Sequence, residues 1–164
     1  MLVAIFSLII SQAFQVETLA DVDDVVWGME FIDSNRLIFT ETRWAARHSK
    51  RSLDNSTTLF RAMPAKNTNI HFGCRIVFDR SGVLLLTVGE RNNRDEAQVK
   101  SNHLGKVLRF KDFKNSPEIV SYGHRNPQGL AIHPETGDIW VNEHGPRGGD
   151  EINLIKSGAI DRKA

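Results

Sequence analysis

Three segments of the chain share one pattern, in which an apolar run, a short polar turn and a second apolar run follow one another. The apolar runs are rich in Ile, Leu, Val, Phe and Trp, as β-strands are. The turns contain Asp, Asn, Ser, Pro and Gly, which adopt tight-turn geometry readily. The pattern predicts three β-hairpins, which are Gly28 to Glu41, Cys74 to Glu90 and Gly129 to Glu143.

The spacing of the hairpins indicates how they are assembled. They recur about 45 and about 55 residues apart, and repetition near this length with only strand signals is typical of a β-propeller. Further strands are predicted between them, at Thr58 to Met63, Leu104 to Phe110 and Glu118 to Gly123. No segment has the period of a helix. An antiparallel sandwich has the same local signals and is the alternative architecture.

The strand runs are almost continuously apolar, so we expect both faces of each sheet to be buried. A complete propeller has about four blades or more, whereas three hairpins provide about three. The sequence therefore predicts an all-β fold, a β-propeller that is incomplete.

Composition and charge narrow the class of protein. The chain has 164 residues, 40% hydrophobic and 25% charged, with a net charge of +1. This is typical of one globular domain and argues against nucleic acid as the main partner. The single cysteine, Cys74, permits no internal disulfide.

The first residues of the chain predict export. The apolar run from Leu2 to Ile10 is followed by Ser11-Gln12-Ala13, which fits a signal-peptide cleavage site. The run is too short to span a bilayer, so no stable membrane span is expected. We therefore predict a signal peptide at 1–13, a propeller domain at 14–164 and a periplasmic or secreted protein. No Lys or Arg precedes the run, which leaves a buried strand or helix as the alternative.

Polar residues cluster where the hairpins begin and end. In an antiparallel pair, the start of the first strand and the end of the second lie at the same end. The segments 123–129 and 143–151 flank the third hairpin, and 69–73 and 89–96 flank the second. In a propeller these ends converge around the axis, where loops on a rigid scaffold build sites. We therefore expect His71, Arg125, Asn126, Gln128 and the 143–151 loop to be neighbours.

These residue types indicate a chemistry. Arg125 suits a carboxylate or another anion, and His71 could act as a general base near neutral pH. The Gly145-Pro146 carbonyls, with three nearby carboxylates, offer the oxygen ligands that Ca²⁺ prefers. Structural alternatives stay open for each: a hydrogen-bonding histidine, a salt bridge and a solvated loop. His124 and His144 are expected to cap or orient the motifs. The three carboxylates are those of Glu143, Asp150 and Glu151.

The stretch "SYGHRNPQGLAIHPETGDIWVNEHGPRGGDEINLI" resembles the pyrroloquinoline quinone (PQQ)-dependent soluble sugar dehydrogenases almost throughout. The stretches "HFGCRIVFDRSGVLLLTVGERNNRDEAQ", "HLGKVLRF" and "WGMEFIDSNRLIFTE" are similar to the same family, in the same order. The resemblance implies a six-bladed propeller, periplasmic or secreted. It also implies oxidation of an aldose sugar to its lactone, with hydride transfer to PQQ and onward transfer to an unidentified electron acceptor.

The resemblance also implies roles for single residues. His71 matches the general base, and Arg125 and Asn126 match the pair that contacts PQQ. Arg125 is implied to stabilise negative charge on the reduced cofactor. Metal ligation is implied for Gly145 and Pro146, through carbonyls that hold the catalytic Ca²⁺, and for Glu151, at a further structural Ca²⁺.

The sequence departs from the family in two places. After Glu41 it lacks the family's Gly-Gln-Gly-Gly stretch, and it ends where the family has about three further blades. We therefore expect a partial copy with uncovered sheet faces, which favours a homo-oligomer. The alternatives to a sugar dehydrogenase are a non-catalytic extracellular binding module, a Ca²⁺-dependent lactone hydrolase and a non-functional remnant.

Overall fold

The computed structural model describes residues 26–34, 36–41, 45–50 and 57–156. The predicted signal peptide at 1–13 lies outside these residues. Within the described ranges, no helix is long and apolar enough to cross a membrane.

The chain forms three antiparallel sheets in sequence order. The first contains β1 (Val26–Asp33), β2 (Arg36–Glu41), β3 (Ala45–Lys50) and β4 (Thr57–Arg61). The second contains β5 (Gly73–Phe78), β6 (Leu84–Val88), β7 (Lys106–Phe110) and β8 (Glu118–Tyr122). The third contains β9 (Pro127–Ile132), β10 (Ile139–Glu143) and β11 (Glu151–Ile155). Strands that follow one another in sequence are neighbours in each sheet, so each sheet is a meander.

All three predicted hairpins are confirmed by strand pairing. Gly28 pairs with Thr40 in the first, Gly73 with Val88 in the second, and Gly129 with Asn142 in the third. The first strand of the second sheet, β5, lies against β1 on one side and against β9 on the other. The sheets therefore fan out from a shared inner edge, as the blades of a β-propeller do, which confirms the propeller rather than the sandwich.

The second sheet is buried on both faces because it lies between the other two. Leu84, Leu86 and Val88 of β6 belong to the apolar cluster shared with the first sheet. Leu85, which lies between them in sequence, points to the opposite cluster, shared with the third sheet. A continuous apolar strand is the expected sequence for a sheet covered on both faces, and the second sheet confirms that prediction.

The same expectation is wrong for the outer faces of the first and third sheets. Met29 and Phe31 are each 67% exposed, and Ile152 is 76% exposed. Burial alternates along β10, where Val141 is buried and Trp140 is 39% exposed. These exposed side chains lie on the faces turned away from the second sheet, because alternate residues of a strand point to opposite faces.

Four of the described elements were not predicted from the sequence. They are β3, β11, the five-residue helix α1 (Arg94–Gln98) and a 3-10 turn at Pro146–Gly148. The helix corrects the expectation that the chain has none, and its first turn carries Asp95 and Glu96, which favour a helix N-terminus. Strand β11 places Glu151 at the start of a strand rather than in a loop.

Candidate functional site

A histidine and a buried carboxylate meet where the second hairpin begins and ends. The Nδ1 atom of His71 lies 2.5 Å from Oε1 of Glu90. The Glu90 side chain is 2% exposed and the His71 side chain 11% exposed. Gly89 makes this approach feasible, since a Cβ at that position would lie 2.0 Å from the carbonyl oxygen of His71. The close backbone contact between the two loops therefore places the His71 imidazole beside the Glu90 carboxylate.

This pairing gives the imidazole the arrangement of a general base. A carboxylate that accepts the Nδ1 proton leaves Nε2 of His71 as the proton acceptor. Among the described residues, the second carboxylate oxygen of Glu90 is buried without a hydrogen-bond partner. The imidazole of His71 is therefore the group that holds this buried carboxylate in place.

Arg125 and Asn126 connect the second and third sheets beside this pair. The carbonyl of Arg125 accepts a hydrogen bond from the Glu90 N–H at 2.9 Å. The side-chain oxygen of Asn126 accepts one from the Gly73 N–H at 3.1 Å. Glu90 and Arg125 also line one narrow cleft, together with Pro146. The structure thus brings four predicted neighbours together, on loops from two different sheets: His71, Arg125, Asn126 and Pro146.

The guanidinium of Arg125 is held by backbone carbonyls. Its Nη1 donates to the carbonyls of His144 and Gly145, at 3.1 Å each. Within the part of the chain that the structure describes, Nη1 donates every hydrogen bond of this guanidinium. The Nε and Nη2 groups could therefore donate to an anionic ligand.

Glu143 faces the backbone of Arg125 rather than the 145–146 turn. Its Oε2 accepts the Arg125 N–H at 2.7 Å, and its Oε1 accepts from His124 Nδ1 at 2.9 Å and from Asn153 Nδ2 at 3.0 Å. Burial raises the pKa of Glu143, but the hydrogen bond and the electrostatic attraction of His124, together with hydrogen bonds from the backbone N–H groups of Arg125 and Asn126, bring it below its ordinary value. The carboxylate is therefore ionised at neutral pH, and its oxygens are engaged.

The predicted metal turn is ordered by its own hydrogen bonds. Asp150 accepts from the Gly145 N–H and pairs with the His144 imidazole, both at 3.1 Å. The Pro146 carbonyl accepts from the Gly149 N–H at 3.1 Å. Glu151 lies opposite Glu143 in the strand register and accepts from Asn153 at 3.3 Å.

These contacts bear on whether the turn can hold Ca²⁺. In the described ranges, no group of three or more His, Cys, Asp or Glu side chains is placed to hold a metal ion. The Gly145 and Pro146 carbonyls could supply two oxygen ligands, whereas Ca²⁺ takes about six to eight. The described residues alone therefore do not complete a Ca²⁺ site.

Gln128 lies apart from His71 and Arg125. Its carbonyl accepts from Arg75 Nε at 3.0 Å, and it lines a polar cavity of about 490 Å³ on the third sheet. Asn142, Asp150 and Glu151 line the same cavity. Gln128 thus lies in strand β9 and lines a different cavity from the cleft of Glu90, Arg125 and Pro146.

Sequence reasoning did not single out Glu90, nor did it assign Glu143 its role beside Arg125. A signal was present, because the second strand of each hairpin runs into a glutamate. These residues are Glu41, Glu90 and Glu143, and all three are buried, at 5%, 1% and 7% exposure. A buried carboxylate requires partners, so its recurrence at equivalent hairpin positions indicates an ordered polar end of the sheets.

Comparisons with known proteins identify the family. The model of the glucose/sorbosone dehydrogenase family matches residues 33–160. The aldose sugar dehydrogenase YliI of Escherichia coli (strain K12) is 46% identical over 114 residues, which are 62% of this chain and 31% of that protein. The chain thus spans about a third of that relative's length.

Solved structures agree with the sequence matches. The soluble aldose sugar dehydrogenase of Escherichia coli in its apo form is similar with a TM-score of 0.69 and 35% identity, covering 78% of this chain and 44% of that one. The PQQ-bound aldose sugar dehydrogenase of Streptomyces coelicolor is similar with a TM-score of 0.70 and 25% identity, covering 84% and 47%. The family match over most of the chain, and the similarity in fold, show that this chain belongs to the glucose/sorbosone dehydrogenase family.

Proposed function

We propose that this chain forms part of the cofactor and substrate site of a PQQ-dependent aldose sugar dehydrogenase. The observation that carries the proposal is the His71–Glu90 pair, which lies beside Arg125 and Asn126 at the converging ends of two sheets. A family relative is named an aldose sugar dehydrogenase, and another was solved with PQQ bound. Because the chain spans less than half of these proteins, its own activity is part of the proposal.

The described residues fit PQQ by their chemistry. PQQ carries carboxylates and quinone oxygens, and the Nε and Nη2 groups of Arg125 are suited to such acceptors. Asn126 is held by its oxygen on Gly73, so its amide N–H₂ is the group it can offer. Bound PQQ would accept the hydride that leaves the reacting carbon of the sugar, and the oxidised sugar would be the lactone.

The residues of the chain would supply the proton transfer and the electrostatics. His71 Nε2 would take the proton of the sugar hydroxyl, while Glu90 holds the Nδ1 proton and stabilises the imidazolium. The positive charge of Arg125 would stabilise the negative charge that develops on the cofactor side. The electron acceptor that reoxidises the cofactor would be a separate partner.

We also propose Ca²⁺ at the turn, with the Gly145 and Pro146 carbonyls as ligands, and a further structural Ca²⁺ at Glu151. The Gly145 carbonyl already accepts one hydrogen bond from Arg125, which leaves it one further lone pair. The lactone-hydrolase alternative needs several convergent side-chain carboxylates, and none are so arranged among the described residues. This makes the dehydrogenase the better-supported function.

Export and self-association complete the proposal. We expect a periplasmic or secreted mature chain that begins after Ala13, which N-terminal sequencing of the secreted protein would test.

The exposed apolar faces around Met29 and Phe31, and around Trp140 and Ile152, would be covered in a homo-oligomer. Sedimentation showing a stable, fully folded monomer would argue against the homo-oligomer.

The proposal is tested by titrating the purified chain with PQQ, with and without Ca²⁺, and following cofactor absorbance. Saturable binding that depends on Ca²⁺ and is lost in Arg125→Ala is expected. Arg36→Ala is the matched control, because it removes an exposed arginine whose partner is Asp33 at the opposite end of the first hairpin. A folded protein that binds no PQQ would favour the binding-module or remnant alternative.

A further inference from the structure

Behind Arg125 lies a buried chain of polar side chains that the proposed reaction does not use. Ser121 Oγ lies 2.8 Å from Nε2 of His124, and the Nδ1 of His124 lies 2.9 Å from Oε1 of Glu143. His124 is completely buried, and Ser121 is 2% exposed. The order Ser–His–Glu is that of a hydrolytic triad. A serine hydroxyl that is closed off from solvent cannot attack a substrate, so the chain of hydrogen bonds needs another explanation.

The same chain of hydrogen bonds ends on the backbone that carries the predicted cofactor contacts. Glu143 Oε2 accepts the Arg125 N–H at 2.7 Å, while the Arg125 carbonyl accepts from the Glu90 N–H on the other side. Arg125 is therefore held from the third sheet through its N–H and from the second sheet through its carbonyl. A shift of Glu143 would release one of these two attachments.

His124 and Asn153 in turn fix the carboxylate of Glu143. His124 Nδ1 and Asn153 Nδ2 both donate to Oε1, so the carboxylate has one rotational setting, in which Oε2 faces Arg125. The carboxylate also fixes a proton of the His124 imidazole on Nδ1, and Nε2 of the same ring lies 2.8 Å from the Ser121 hydroxyl oxygen. Each member of the chain thus determines the orientation of the next.

We propose that Glu143, oriented by His124 and Asn153, is the positioning residue that sets Arg125 and Asn126 for the cofactor. The proposal rests on the proposed function for its ligand, but the geometry it predicts exists in the protein without cofactor. Outer partners of metal ligands are typically worth about 10- to 100-fold in affinity or activity, and we expect a similar factor for the weakening of PQQ binding in Glu143→Gln.

The experiment compares Glu143→Gln with Glu135→Gln by two measurements. The first is the PQQ dissociation constant. The second, in the protein without cofactor, is the set of NMR resonances of the His124 imidazole nitrogens and of the Arg125 and Asn126 amides. Glu135 is an exposed glutamate in the turn at the opposite end of the same hairpin, so its replacement should change neither measurement.

Glu143→Gln should weaken PQQ binding, shift both amide resonances and shift the ring-nitrogen resonances of His124, because an amide replaces one acceptor oxygen with a donor. Unchanged resonances together with an unchanged dissociation constant would overturn the proposal. If the wild-type protein binds no PQQ, the proposed function fails, and the resonances of the cofactor-free protein decide the positioning role alone.

A second variant keeps the test decisive if Glu143→Gln does not fold. Asn153→Ala removes one donor to the carboxylate and keeps the carboxylate itself. It should weaken PQQ binding by a smaller factor, about threefold to tenfold, and move the His124 resonances. If Asn153→Ala leaves both the dissociation constant and these resonances unchanged, the proposal is wrong.

Discussion

Replacing Gly89 by alanine should displace His71, because the two backbones are in direct contact. An alanine Cβ at position 89 would lie 2.0 Å from the His71 carbonyl oxygen and 2.5 Å from its carbonyl carbon. Cβ atoms are essentially never closer than 3.0 Å to such atoms, so one of the two segments must move by about 1 Å. Gly89 cannot retreat freely, since it directly follows β6, whose last residue, Val88, is paired with both β5 and β7. The displacement therefore falls on the loop that carries His71.

The size of the effect follows from the His71–Glu90 distance. A displacement of about 1 Å would lengthen the 2.5 Å contact to about 3.5 Å, the limit of hydrogen bonding, and so weaken an interaction worth about 1.5–3 kcal/mol. A catalytic group misplaced by about 1 Å typically costs about 100-fold in rate. Overpacking should also lower the free energy of unfolding by about 1–3 kcal/mol.

The assay compares Gly89→Ala with Gly82→Ala. Gly82 has a positive φ of 77° and open space around its Cβ position, so alanine there costs backbone strain of about 1–2 kcal/mol and touches nothing. Both variants should lower the unfolding temperature. Only Gly89→Ala should lose the NMR signal of the His71 Nδ1 proton and slow sugar-dependent reduction of a redox dye. A Gly89→Ala protein that keeps this signal would show that the Gly89 contact does not position His71.

Two further predictions concern stability. Leu108 is fully buried in the cluster between the first two sheets. Leu108→Ala should therefore lower the free energy of unfolding, measured by denaturant titration, by about 3–5 kcal/mol. Phe31→Ala is the control and should cost far less, because Phe31 is 67% exposed. Burial lowers the pKa of Lys106 from 10.5 to about 8, against the attraction of Glu96, so the folded state loses this proton before the unfolded state does. The free energy of unfolding should therefore rise between about pH 8 and pH 10.5. The rise should be at most about 3 kcal/mol, because the carbonyl acceptors around Lys106 favour its ammonium form. Lys106→Met should abolish the rise.

The hairpins were predictable from the sequence because their signals are local. An apolar run, a turn of Asp, Ser or Gly and a second apolar run specify a hairpin without reference to the rest of the chain. Strand β3 has the polar sequence "AARHSK", and only its pairing with β2 and β4 makes it a strand. Pairing of this kind depends on tertiary context, which a sequence pattern does not contain.

The candidate site was predictable in its residue types and less so in its contacts. The loops containing His71 and Arg125 were expected at one end of the hairpins, and antiparallel geometry is sufficient for that conclusion. Their hydrogen-bond partners are Glu90 and Glu143, which lie 19 and 18 residues away in the sequence. Such contacts arise only when the sheets pack. The exposure of the outer face of the third sheet was not predictable either, because its strands have an apolar sequence whether or not another sheet covers them.

In the proposed function, His71 takes a proton from an aldose sugar while PQQ is reduced. The most direct measurement mixes the PQQ-loaded chain with an aldose sugar, without any electron acceptor, and follows the absorbance of the cofactor. We predict reduction of bound PQQ that is at least about 100-fold slower in His71→Gln, because the variant keeps a polar side chain but lacks the base. Bound PQQ that stays oxidised with every aldose, or is reduced equally fast in His71→Gln, would contradict the account.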